Sequence, residues 1–92
     1  MVSLGDKGAL AVDGGECLFA EPPRVVVRST VGAGDSMVAG MTAALEAGKS
    51  LEGALRTAVA AAGAAVATPG TQAAPLEVFR QLYKTISIQK VM

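Results

Sequence analysis

The chain has no histidine and a single cysteine, Cys17, among its 92 residues. Without histidine, neither a His-based zinc site nor a Ser-His-Asp triad can be built from it. One cysteine excludes an intrachain disulfide and a thiolate metal cluster. Cys17 reads as a small hydrophobe in a strand, with a reactive thiol as the alternative. An excess of one charge is also missing, since eight basic residues balance eight acidic ones. They are scattered, and no basic stripe exists to neutralise a phosphate backbone, which disfavours nucleic acid as a partner. The longest apolar run, Ala58 to Ala67, falls far short of the roughly twenty residues a membrane helix needs. No basic segment followed by an apolar core opens the chain, so no targeting signal is read. A single small cytoplasmic domain, without a membrane partner, is the expectation.

What is present divides into two halves. Met1 to Leu4 reads as a short strand, and Ala9-Leu10-Ala11-Val12 as a second. Asp13-Gly14-Gly15 is a strong hairpin signal, returning the chain along Glu16 to Ala20. Pro22-Pro23 then breaks the pattern before a β-branched stretch from Arg24 to Arg28. The second half is helical. One helix is expected from Asp35 to Ala47, stopped by Gly48. A second opens at Ser50, a residue suited to the cap, and from Ala54 to Ala67 is almost free of polar residues, with only Arg56 and Thr57 near its start. Thr68-Pro69-Gly70 ends it, and a last amphipathic helix covers Leu76 to Tyr83, with Phe79, Leu82 and Tyr83 on one face. Strands followed by helices over this length suggest one end of a three-layer α/β sheet. The apolar second helix needs cover on both sides, and the chain supplies little material for it; self-association or poor folding in isolation is the consequence expected.

The junction between the halves carries the chemistry. Gly32-Ala33-Gly34-Asp35 lies between the β-branched stretch and the first helix. Its glycines permit a tight turn and close approach of a ligand to the backbone. A helix N-terminus directs unpaired N–H groups and partial positive charge outward, which suits a phosphate. Asp35 on the first turn could accept a proton from an attacking hydroxyl, and anion donors beside a base form a phosphoryl-transfer arrangement. The competing reading makes Asp35 an ordinary helix cap. The segment is not the G-x-x-x-x-G-K-[ST] loop, because no Lys follows the second glycine.

The longer string Ser29-Thr30-Val31-Gly32-Ala33-Gly34-Asp35-Ser36-Met37 resembles the C-terminal signature of the ribokinase-like (PfkB) sugar kinases. Ser3-Leu4-Gly5-Asp6-Lys7-Gly8-Ala9 looks like that family's S-x-G-x-x-G nucleotide turn, in family order and at a family-like separation. The resemblance implies that residues 1–92 are the C-terminal nucleotide-binding portion of a kinase domain with a three-layer α/β/α sandwich fold. It makes Asp35 the base toward the acceptor hydroxyl, and the N–H groups of Gly32, Ala33 and Gly34 an anion hole. Ser3, Leu4, Gly5, Asp6, Lys7 and Gly8 would contact the nucleotide; without the second motif they would read as an ordinary hairpin turn. Val27, Ala60 and Ala64 would line the adenine pocket, although many relatives carry Ser or Asn at the position of Ala64. Simple dense packing is the competing reading of that Ala-rich helix.

The same resemblance implies ATP and magnesium as cofactors. In some members a monovalent cation such as potassium is held by backbone carbonyls, here those of Ser29, Val31, Val66 and Gly70. Ser29-Thr30-Val31 together with Ser36-Met37 is similar to the phosphosugar branch, whose acceptors are fructose 6-phosphate, fructose 1-phosphate or tagatose 6-phosphate. Thr68-Pro69-Gly70-Thr71 leans toward the minor-type 6-phosphofructokinases. The family's sugar-binding residues, its lid strands that often form the dimer, and its magnesium-associated N-x-x-E segment are not found in this chain. An inactive structural or oligomerising module is therefore the competing expectation.

Overall fold

The computed structural model describes residues 1–3, 7–22, 25, 32–67 and 76–91. Four short strands form an antiparallel sheet in the order β1 (Val2–Ser3), β2 (Ala9–Asp13), β3 (Glu16–Ala20) and β4 (Ile88–Lys90). Three helices complete the chain: α1 (Ala33–Glu46), α2 (Leu51–Val66) and α3 (Leu76–Thr85). The hairpin forms where the composition demands it. Gly14 and Gly15 have φ of 55° and 85°, the positive pair that a type I′ turn requires, and Asp13 pairs with Glu16 across it.

Alternation along β2 and β3 decides which face of the sheet is covered. Ala9 pairs with Ala20 and Ala11 with Leu18, and all four are buried against α2. The other face carries Leu10, Phe19 and Cys17, half-buried, with Val2 and Val12 exposed. Cys17 is a free thiol in β3, as a small hydrophobe in a strand should be. β4 was not anticipated from the sequence. Of the β-branched stretch at Arg24 to Arg28, only Val25 is among the described residues, and it is not in a strand.

The helix ends follow local chemistry. Gly48, at φ 81°, ends α1 in a Schellman arrangement: its N–H donates to Leu45 O, and the Lys49 N–H donates to Ala44 O, both at 3.0 Å. The Ser50 hydroxyl oxygen accepts from the Gly53 N–H at 3.2 Å, capping α2 as expected. The cover of α2 differs from expectation. Ala54, Leu55, Ala58 and Ala60 have no exposed surface, because the sheet, α1 and α3 enclose the helix from different sides. Its small side chains explain how so short a chain achieves this. They let neighbouring backbones approach closely, so little material is needed to bury the helix. Gly40 of α1 marks the tightest point: a methyl there would lie 3.2 Å from both Ala58 Cα and the Thr57 carbonyl oxygen.

Arg56 of α2 ties the last helix in place. Its Nη1 donates to Ile86 O at 2.6 Å and Tyr83 O at 3.3 Å, at the carbonyl end of α3. Its Nη2 meets Glu52 at 3.4 Å, and the guanidinium lies 5.7 Å from the Tyr83 ring centroid. Phe79, Leu82 and Tyr83 pack together against the core, on the shared face that their spacing predicts.

Candidate functional site at the start of the first helix

Gly32 is the N-cap of α1, with φ 79° in the left-handed region, and among the described residues no side chain caps this helix. The Ser36 N–H donates to Gly32 O at 2.9 Å, which closes the first turn. Helix geometry therefore leaves the N–H groups of Gly32, Ala33, Gly34 and Asp35 without intrahelical acceptors. Asp35 is exposed in the first turn, three residues beyond the cap position, Gly32. The capping reading of Asp35 is thus corrected: glycine takes the cap position, because the turn needs a positive φ there that a non-glycine residue adopts only with strain.

The surroundings of the two glycines are open. A Cβ added to Gly32 or Gly34 would meet no atom within 4 Å among the described residues. Gly34 has no positive φ either, so neither conformation nor packing within these residues demands glycine at that position. Beside this end of α1 lies a groove of 440 Å³, formed by Ser36 and Gly40 of α1, Ala61 and Ala64 of α2, and Leu76 and Phe79 of α3. The space is mostly apolar and of small-molecule size, but broadly open rather than enclosed. Ser36, the residue after Asp35, lines it from α1, and Ala64 from α2.

The remaining expected residues divide sharply. Ala60 is enclosed by the hydrophobic core with no exposed surface, so it offers a ligand no contact and the packing reading explains it. Gly8 is buried at φ 111°, where an added Cβ would overlap the Ala20 carbonyl oxygen and sit 3.1 Å from Phe19 Cε1. The close approach that makes glycine necessary at Gly8 is therefore to β3. Lys7 is exposed, and Ser3 contributes its backbone to β1. Val66 closes α2, half-buried. Leu4, Gly5, Asp6, Val27, Ser29, Val31 and Gly70 lie outside the described residues, as does the Thr68-Pro69-Gly70-Thr71 segment. Among the described residues no group of three or more acidic, His or Cys side chains could hold a metal. No helix among them is long and apolar enough to cross a membrane.

The geometry thus joins a glycine-capped helix N-terminus, an exposed first-turn carboxylate and an adjoining groove, an arrangement able to receive an anion. The sequence matches the family described as pfkB family carbohydrate kinase over residues 1–78. The chain belongs to that family. It is 45% identical over 87 residues to the ATP-dependent 6-phosphofructokinase isozyme 2 of Escherichia coli K12, covering 95% of this chain and 28% of that protein. It is 39% identical over 88 residues to the 1-phosphofructokinase of Rhodobacter capsulatus, covering 96% of this chain and 28% of that one. The crystal structure of phosphofructokinase-2 from Escherichia coli in complex with potassium superposes with a TM-score of 0.84 at 46% identity, over 90% of this chain and 27% of the other. This chain therefore spans under a third of the length of these relatives, and its fold is a fragment of the ribokinase-like sandwich.

Proposed function

We propose that the chain is the C-terminal nucleotide-binding portion of an ATP-dependent sugar-phosphate kinase, with fructose 6-phosphate as the acceptor. The observation that carries this reading is the N-terminus of α1. Its first N–H groups have no intrahelical acceptors, no described residue lies within 4 Å of a Cβ placed on Gly34, and Asp35 is exposed beside them. The N–H groups of Gly32, Ala33 and Gly34 would hold the charge that develops on the transferring phosphoryl group. Asp35 would take the proton from the acceptor hydroxyl as its oxygen bonds to the γ-phosphorus. The bond from that phosphorus to the bridging oxygen breaks, and ADP leaves with the electron pair. Magnesium, bound with the triphosphate, supplies charge neutralisation; the described residues assign no side chains to it.

The groove beside Ser36 and Ala64 would receive the nucleoside end of ATP, with Val27 and the Ser3–Gly8 segment completing the pocket. The carbonyls of Ser29, Val31, Val66 and Gly70 would hold potassium, a proposal supported by the potassium complex of the Escherichia coli relative. Homo-oligomerisation through parts outside this chain is supported by the tetrameric inhibited form of that same relative. The identity to 1-phosphofructokinases favours fructose 1-phosphate as the second acceptor reading, with tagatose 6-phosphate behind it. A coupled assay with ATP and each of the three phosphosugars, on this chain and on the complete kinase containing it, tests the proposal. Turnover of fructose 6-phosphate by the complete enzyme and none by the 92-residue chain is expected, because acceptor positioning carries much of the rate. A complete protein that phosphorylates none of the three would overturn the reading.

A further inference from the structure

The family match ends at residue 78, yet the segment beyond it is held firmly in the fold. After α3 the chain reverses at Ile86, a buried core residue, and runs back as β4 along β3. Leu18, Phe19 and Ala20 pair with Lys90, Gln89 and Ile88. The ladder extends past both ends of β4, since the Glu21 N–H donates to Ser87 O at 3.0 Å and the Val91 N–H donates to Cys17 O at 2.8 Å. The reversal itself is fastened by the two bonds from Arg56 to the carbonyls of Tyr83 and Ile86.

Without β4, β3 would be an open edge. It would present the backbone groups of Cys17, Phe19 and Glu21 beside an apolar run, a template for pairing with another chain. β4 is a poor template by comparison: three residues long, with Gln89 and Lys90 exposed. Short edge strands bearing lysine are a known means of ending a sheet. We propose that residues 86–91, latched by Arg56, form an edge strap that keeps β3 from pairing with β3 of a second copy of this chain.

The test uses the full chain with Gln89→Pro. Alternation from Val91 turns the Gln89 N–H toward β3, so proline removes that donor while α3 and the Arg56 latch are retained. In dilute solution, amide protection of Phe19 and Glu21 should fall by about tenfold or more while α2 keeps its protection. As concentration rises, sedimentation should show more association than the unmodified chain, with protection at Phe19 and Glu21 returning in step. Unchanged protection of β3, or lost protection with sedimentation identical to the unmodified chain, overturns the proposal. Should Gln89→Pro also unfold α2, Val91→Pro removes only the last bond of the ladder. A folded Val91→Pro chain must then associate more than the unmodified one, and equal association sinks the strap.

Discussion

Two pairs of glycines in this chain sit in opposite surroundings. Gly8 and Gly40 are pressed against backbone: the first against the Ala20 carbonyl, the second against α2 at Thr57 and Ala58. Gly32 and Gly34, about two turns of helix before Gly40, face nothing within 4 Å among the described residues. Gly32 still has a conformational reason, its φ of 79°. Gly34 has neither reason. A residue that costs helix stability and fills no packing need is most simply explained by something outside the chain that must come close to it. The contrast separates glycines pressed against backbone from one that, among the described residues, has no packing or conformational need.

The largest effect expected on the open side belongs to Asp35. In the complete kinase, Asp35→Asn preserves side-chain shape and removes the proton acceptor. Turnover should fall by about a hundred- to ten-thousand-fold, the usual loss for a general base. Because Asp35 is exposed and is not the cap, thermal stability should stay within about 0.5 kcal/mol of the parent. Near-normal turnover would remove the base from the mechanism.

Gly8→Ala should be the most damaging change on the packed side. The new Cβ overlaps a backbone carbonyl, which cannot move without disturbing β3, and the left-handed φ adds its own strain. A loss of about 3 kcal/mol or more is expected from denaturant unfolding. A small loss would mean that the β2–β3 end is pliable, and would return Gly8 to the nucleotide turn as its main reason. Gly40→Ala is milder. Its contacts at 3.2 to 3.3 Å require α1 and α2 to separate by a few tenths of an ångström, against a gain in helix propensity. A net loss of about 1 kcal/mol is expected.

The legibility of these features in the sequence followed how local their causes are. The Asp13-Gly14-Gly15 turn, the Ser50 cap and the Gly48 stop act within a few residues, so their chemistry could be read directly. The α1 start could be placed within two residues, but not its cap, since an aspartate and a glycine both suit that position. β4 escaped because three residues, Ile88-Gln89-Lys90, become a strand only through pairing with β3. The roles of Gly8, Gly40 and Arg56 depend on partners 12 to 30 positions away, and no local pattern announces them. The cover of α2 was misjudged for the same reason: counting residues does not reveal how closely Ala and Gly permit elements to approach. At the candidate site, residue types suggested an anion-binding turn, and the family resemblance supplied the roles assigned to them.

The smallest change sharpens the comparison most, because its sign reverses. Among the described residues no atom lies where a larger side chain at Gly34 would strike, and the helical backbone there suits any L-residue. Gly34→Ala should therefore stabilise the 92-residue chain, by about 0.5 kcal/mol for a first-turn position. In the complete kinase the same methyl stands where a phosphate would approach the N–H groups, so affinity for ATP should fall while stability rises. Unfolding and nucleotide binding measured on the same variant decide the matter. If Gly34→Ala leaves ATP affinity unchanged, the open glycine is a helix residue like any other, and the anion hole must be sought elsewhere. If it destabilises the chain, neighbours outside the described residues pack on it, and Gly34 joins Gly8 and Gly40 among the glycines of the fold.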